Sequence, residues 1–69
     1  MSNHQWFFTL EEEDLKSIII KRNTGTRTKD ALMDIHGGLT FAAAAKKHGI
    51  KKQHIYYWLT TTAKILKVK

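Results

Sequence analysis

Apolar residues recur along this chain at helical spacing, and glycines interrupt them at three places. The pattern predicts four helical stretches and no strand. In the first stretch Leu10, Leu15, Ile18 and Ile19 make one apolar face. Thr9 is its predicted N-cap, with Glu12 three residues on as a capping box, and Lys21-Arg22 close it ahead of Asn23-Thr24-Gly25. A second helix is predicted over residues 28–36, where Ala31, Leu32 and Ile35 form a buried stripe and Gly37-Gly38 stop the chain. A third, short helix opens at Thr40 as N-cap and runs through Phe41 and four alanines to His48, with Gly49 supplying a left-handed turn. The fourth covers roughly 51–66. Ile55, Trp58, Leu59 and Thr62 share its inner face, and Ile65 and Leu66 continue the stripe. The expected fold is all-α: a small bundle of about four helices forming one domain over residues 1–69.

Trp6-Phe7-Phe8 precede the first predicted helix. Three adjacent aromatics cannot all point inward from one short segment. One or two are expected to cover the core, which leaves the others for a dimer contact.

Size narrows the picture. A chain of 69 residues builds a core whose net stability is only about 3–5 kcal/mol. It has no cysteine, so neither a disulfide nor a thiolate metal site staples it, which fits a reducing, cytoplasmic setting. The start of the chain lacks the organisation of a signal peptide, and no apolar run approaches the length of a membrane span. The initial Met1 and the helix caps suggest a complete chain.

Charge changes the picture more. Twelve Lys and Arg against six Asp and Glu give +6. The imbalance is polar along the chain: residues 1–20 carry four acids and one lysine, whereas from Leu39 onward there are seven lysines and no acid. A polyanion suits such a half, because each phosphate neutralised releases condensed counterions. The acidic run Glu11-Glu12-Glu13-Asp14 needs no ligand to explain it, since carboxylates in a first helical turn complement the helix dipole.

The segment from Leu39 to Leu59 meets the physical requirements of a helix-turn-helix, placed at about 40–60. Ala45, with Ala44 beside it, is small enough for close helix approach. Gly49, four residues on, tolerates positive φ in the turn. Ile50 then plugs the core, and Ile55 and Trp58 lie on the inner face of the second helix. In such a module the second helix, here about 51–62, enters the major groove of double-stranded DNA. Its outward set is Lys51, Lys52, Gln53, His54, Tyr56, Tyr57 and Thr60. Gln53 suits bidentate pairing with adenine, and lysine or histidine reaches guanine acceptors. Lys46 and Lys47 end the preceding helix near the expected phosphates, and Thr40 caps a helix whose N-terminal amides suit a phosphate. Tyr56 and Tyr57 cannot both join the core beside Ile55, Trp58 and Leu59, so at least one is expected outside. His48 stands where an apolar residue usually packs; it either packs as a half-buried imidazole with one hydrogen bond or faces phosphate.

These residues carry a resemblance. The stretch Lys29 to Leu59, with Asp30-Ala31-Leu32, then Gly37-Gly38, then the helix-turn-helix, resembles small bacterial regulators of the PapB-like adhesin-biosynthesis type and plasmid TrfB/KorA repressors. Trp6-Phe7-Phe8 is loosely similar to the aromatic lead-in of the adhesin regulators. The resemblance implies transcriptional control, repression slightly ahead of activation, by a homodimer or higher oligomer on DNA. It also implies DNA contacts at Lys51, Lys52, Gln53, His54, Tyr56 and Tyr57. The chain stops soon after the second helix, which leaves little room for a separate C-terminal dimerisation domain.

Other classes fit less well. His4, His36, His48 and His54 show no i, i+4 metal spacing, the two serines lack a paired base, and no glycine-rich phosphate loop is present. Neither catalysis, nor a cofactor, nor a small-molecule ligand is expected. A protein-interaction accessory factor, anti-repressor or antitoxin-like, docking through the aromatic N-terminus and acidic first helix, is the alternative. A DNA-binding piece of a transposase or recombinase is a third reading.

Overall fold

The computed structural model describes residues 4–67. They form five helices: α1 Gln5–Thr9, α2 Glu12–Lys21, α3 Thr26–His36, α4 Phe41–His48 and α5 Lys52–Leu66. The fold is a small all-helical bundle. Among the described residues no helix is long and apolar enough to cross a membrane.

The additional element is α1. Trp6-Phe7-Phe8 make a turn of helix of their own rather than an extended lead-in. Phe7 is fully buried, Trp6 packs against the core, and Phe8 stays half exposed. Thr9 therefore does not cap the next helix. It is the last residue of α1, and its hydroxyl donates back to the Trp6 carbonyl at 2.9 Å. Glu11 is the N-cap of α2, without a side-chain bond, and the predicted capping box does not form. The acidic first turn is where it was expected, with Glu12, Glu13 and Asp14 at the positive end of the helix dipole.

Two residues beyond the end of α2, Asn23 takes the left-handed conformation at φ 54. Asparagine is one of the few residues other than glycine to visit that region readily. Thr24 then bonds back to the Ile19 carbonyl at 3.1 Å. Gly25 is extended and begins α3 as its N-cap, so that helix starts two residues before the predicted position.

α4 packs most extensively on α3, and its small residues explain why. Ala44 and Ala45 are both buried, and a methyl side chain lets two helix backbones approach more closely than a leucine would. The Thr40 hydroxyl accepts the Ala43 N–H at 3.1 Å, the expected cap. Gly49 ends α4 at φ 68, ψ 33. Nothing lies within 4 Å of where a Cβ would sit there, so the requirement for glycine is conformational rather than steric crowding by neighbours.

α5 closes the bundle with Ile55, Trp58, Leu59 and Thr62, all buried, against Leu15, Ile19, Leu32 and Ile35. Each such aliphatic side chain contributes roughly 1.5–3 kcal/mol when fully buried. The predicted continuation of this stripe fails: Ile65 is 63% and Leu66 42% exposed. The last turn of α5 reaches past the elements that could cover it.

Candidate nucleic-acid interface

Two sets of contacts fix the orientation of α5. On one side the turn Gly49-Ile50-Lys51 joins α4 to α5, the Ile50 N–H donating to the Ala45 carbonyl at 3.0 Å while the Ile50 side chain packs on the core. On the other, two side chains from the α2–α3 connection, Arg22 and Thr24, grip the middle of α5. The Arg22 guanidinium donates to the Thr61 and Thr62 hydroxyls at 2.9 and 2.8 Å, and lies 5.8 Å from the centre of the Trp58 ring. The Trp58 indole N–H donates to the Thr24 hydroxyl at 2.9 Å. Charge-assisted and partly buried hydrogen bonds of this kind are stronger than exposed ones. The clamp sets the rotation of α5 about its axis and so determines which residues face outward.

Those are Lys51, Lys52, Gln53, His54, Tyr56, Tyr57 and Thr60, all exposed. Both tyrosines lie outside the core. Tyr57 stands free at 71% exposure, whereas Tyr56, at 41%, meets the Phe41 ring edge-to-face at 4.8 Å and the His4 ring at 5.9 Å. Phe8 stacks against Phe41 at 6.4 Å. An aromatic cluster thus supports Tyr56 on the first half of α5, and α1 contributes to it.

Thr40, Lys46 and Lys47 are exposed on α4 and its cap. Lys47 is not wholly available: its ammonium lies 3.1 Å from the Asp34 carboxylate. The same oxygen accepts from His48 Nε2 at 2.6 Å. His48 is thereby a half-buried imidazole with one hydrogen bond, tying the end of α4 to α3 rather than facing outward. Asp34 is held below the usual carboxylate range by the His48 hydrogen bond first and Lys47 second. His36 is also committed internally, its Nε2 donating to the Leu10 carbonyl at 2.7 Å and its ring edge-on to Phe7.

The residues chosen from sequence fall in three places: the first half of α5, the last turn of α4 with Lys46 and Lys47, and Thr40 at the other end of α4. Three features eluded sequence reading: the Arg22 clamp, the Asp34 anchor and the aromatic support of Tyr56. Arg22 and Thr62 are 40 positions apart, and Asp34 and His48 14. No local spacing rule joins such pairs.

A surface with Lys46, Lys51 and Lys52 available, and with Asp34, the nearest carboxylate in sequence, already paired, attracts anions. Glutamine, histidine, threonine and tyrosine among the lysines add donors and acceptors that can distinguish base edges. No family model matches this chain, and no curated protein or solved structure is similar to it.

Proposed function

We propose that this protein is a sequence-specific regulator of transcription that places α5 in the major groove of double-stranded DNA. The carrying observation is the outward face of α5, which presents Lys51, Lys52, Gln53, His54, Tyr56, Tyr57 and Thr60 with Lys46 across a glycine turn, and Thr40 exposed at the start of α4. Lys46, Lys51 and Lys52 neutralise phosphates and set the register; Gln53, His54 and Tyr57 read base edges. Lys47 joins them where it leaves Asp34. The protein acts in the cytoplasm, on the nucleoid when bound, and as a homodimer or higher oligomer on paired half-sites.

The alternative, an accessory factor docking through its aromatic N-terminus and acidic first helix, keeps Phe8 and the acidic turn of α2 on the surface, while Phe7 and part of Trp6 are taken up by the core.

The test is a salt titration of binding to a randomised duplex library, with the bound fraction sequenced. Affinity should fall linearly on logarithmic axes, by about 0.9 in slope for each phosphate neutralised, and one motif should be enriched. Salt-sensitive binding without enrichment would reduce the proposal to a non-specific DNA-binding protein. No binding at low salt would refute it.

A further inference from the structure

Among the large apolar side chains of the described residues, Ile20 is the most exposed, at 77%. It lies on the solvent face of α2, in helical register with Glu13, Lys16 and Ser17, where nothing in the fold needs an isoleucine. Beside it runs a groove of about 170 Å³ between α2 and α3, lined by Lys16, Ile19, Ile20, Lys29 and Met33. A protruding apolar knob adjoining an apolar hole on one surface is the arrangement a two-fold interface requires, because each copy must offer both halves of the contact.

Charge favours the same occupant. α2 begins with Glu12, Glu13 and Asp14 and ends at Lys21, while α3 carries exposed Lys29 on the groove itself. Two antiparallel α2 helices set the acidic end of each against the basic end of the other, with opposed dipoles. We propose that a second copy of this chain docks here: Ile20 of each protomer enters the groove of the other, and the Glu13 carboxylate meets Lys29 at the rim of that groove. Lys16, paired with Glu12 at 3.3 Å within its own helix, borders the contact. None of these residues belongs to the DNA-facing set. The inference therefore stands or falls apart from the DNA reading.

A standard stable interface buries on the order of 800 Å² on each partner, about a sixth of the 5002 Å² surface of this chain. The proposed contact rests on one ten-residue helix and its neighbour, so association is expected at high protein concentration.

The experiment is sedimentation velocity on the full chain without DNA, from about 10 μM to 1 mM, covering the range of weak protein association. The wild type should pass from monomer to dimer over this range. Ile20→Glu should weaken dimerisation at least about tenfold, as loss of a central apolar anchor does, while its circular dichroism spectrum and melting stay unchanged. Glu13→Lys and Lys29→Glu should each weaken the dimer, and the double variant should recover it. A wild type monomeric throughout, an Ile20→Glu protein that dimerises normally, or a double variant that does not recover would overturn the proposal. So would saturation of the groove by an acidic, apolar peptide with the wild type remaining monomeric, since the occupant would then be a different partner.

Discussion

The first turns of α2 and α5 answer the same electrostatic problem in opposite ways. A helix N-terminus carries roughly half a positive charge, and acidic residues there stabilise by about 0.3–1 kcal/mol each. α2 follows that rule with Glu12, Glu13 and Asp14. α5 breaks it: Lys51 is its N-cap without a side-chain bond, Lys52 follows, and no acid occupies its first turn. A helix selected only for stability would not place two ammonium groups at its positive end. The α5 arrangement becomes favourable when an anion arrives, because lysines, backbone amides and dipole then act together. The α2 turn is stabilising as it stands; on the proposed reading the α5 turn is completed by DNA phosphate.

That contrast can be broken from either end. The largest effect is expected from Lys51→Glu with Lys52→Glu. DNA affinity should fall on the order of 100-fold or more, two phosphate attractions having become repulsions. The same variant should melt at a higher temperature than the wild type, because its first turn now suits the dipole. A loss of both binding and stability would mean that the lysines serve the fold. Gln53→Ala should cost about 1–3 kcal/mol at one or two base pairs and leave random-sequence binding intact. Equal loss on every sequence, measured by competition binding, would remove Gln53 from base readout.

Reversal at the other helix should act on stability instead. Glu12→Lys with Glu13→Lys should cost about 0.6–2 kcal/mol in urea unfolding, some of it through the Glu12–Lys16 pair. Binding to a single half-site should not fall. The smallest effect concerns Asp34. Its carboxyl is held below the ordinary range by His48 and Lys47, so its contribution is present above the unfolded carboxylate pKa of about 3.9 and is lost as pH falls through the lower folded value. Asp34→Asn should flatten that acid limb of the stability–pH profile and free Lys47 for phosphate. An unchanged acid limb would show that the anchor adds nothing.

Much of the candidate interface was legible because its determinants are local. Thr40 caps α4 through a bond spanning three residues, Gly49 turns the chain by its own φ, and the inward set Ile55, Trp58, Leu59 and Thr62 follows helical period alone. The outward set then follows by exclusion. Failures came where a local rule had a competitor. Thr9 and Glu12 have the spacing of a capping box, but the adjacent aromatics gain more by wrapping Phe7 into the core, and the Thr9 hydroxyl turns back into α1. Ile65 and Leu66 keep the period of the stripe without an element opposite to cover them.

The sequence by itself determined that four helices follow the aromatic segment (though not where α2 and α3 begin), which faces of α4 and of α5 up to Thr62 turn inward, and the separation of an acidic start from a basic end. These depend on periodicity, caps and charge within a few residues of one another. Tertiary structure alone decided that Arg22 and Thr24 lock α5, that Asp34 holds both His48 and Lys47, and that Ile20 is left beside an apolar groove. Each of these joins residues distant in the chain, and such contacts exist only once the helices have packed.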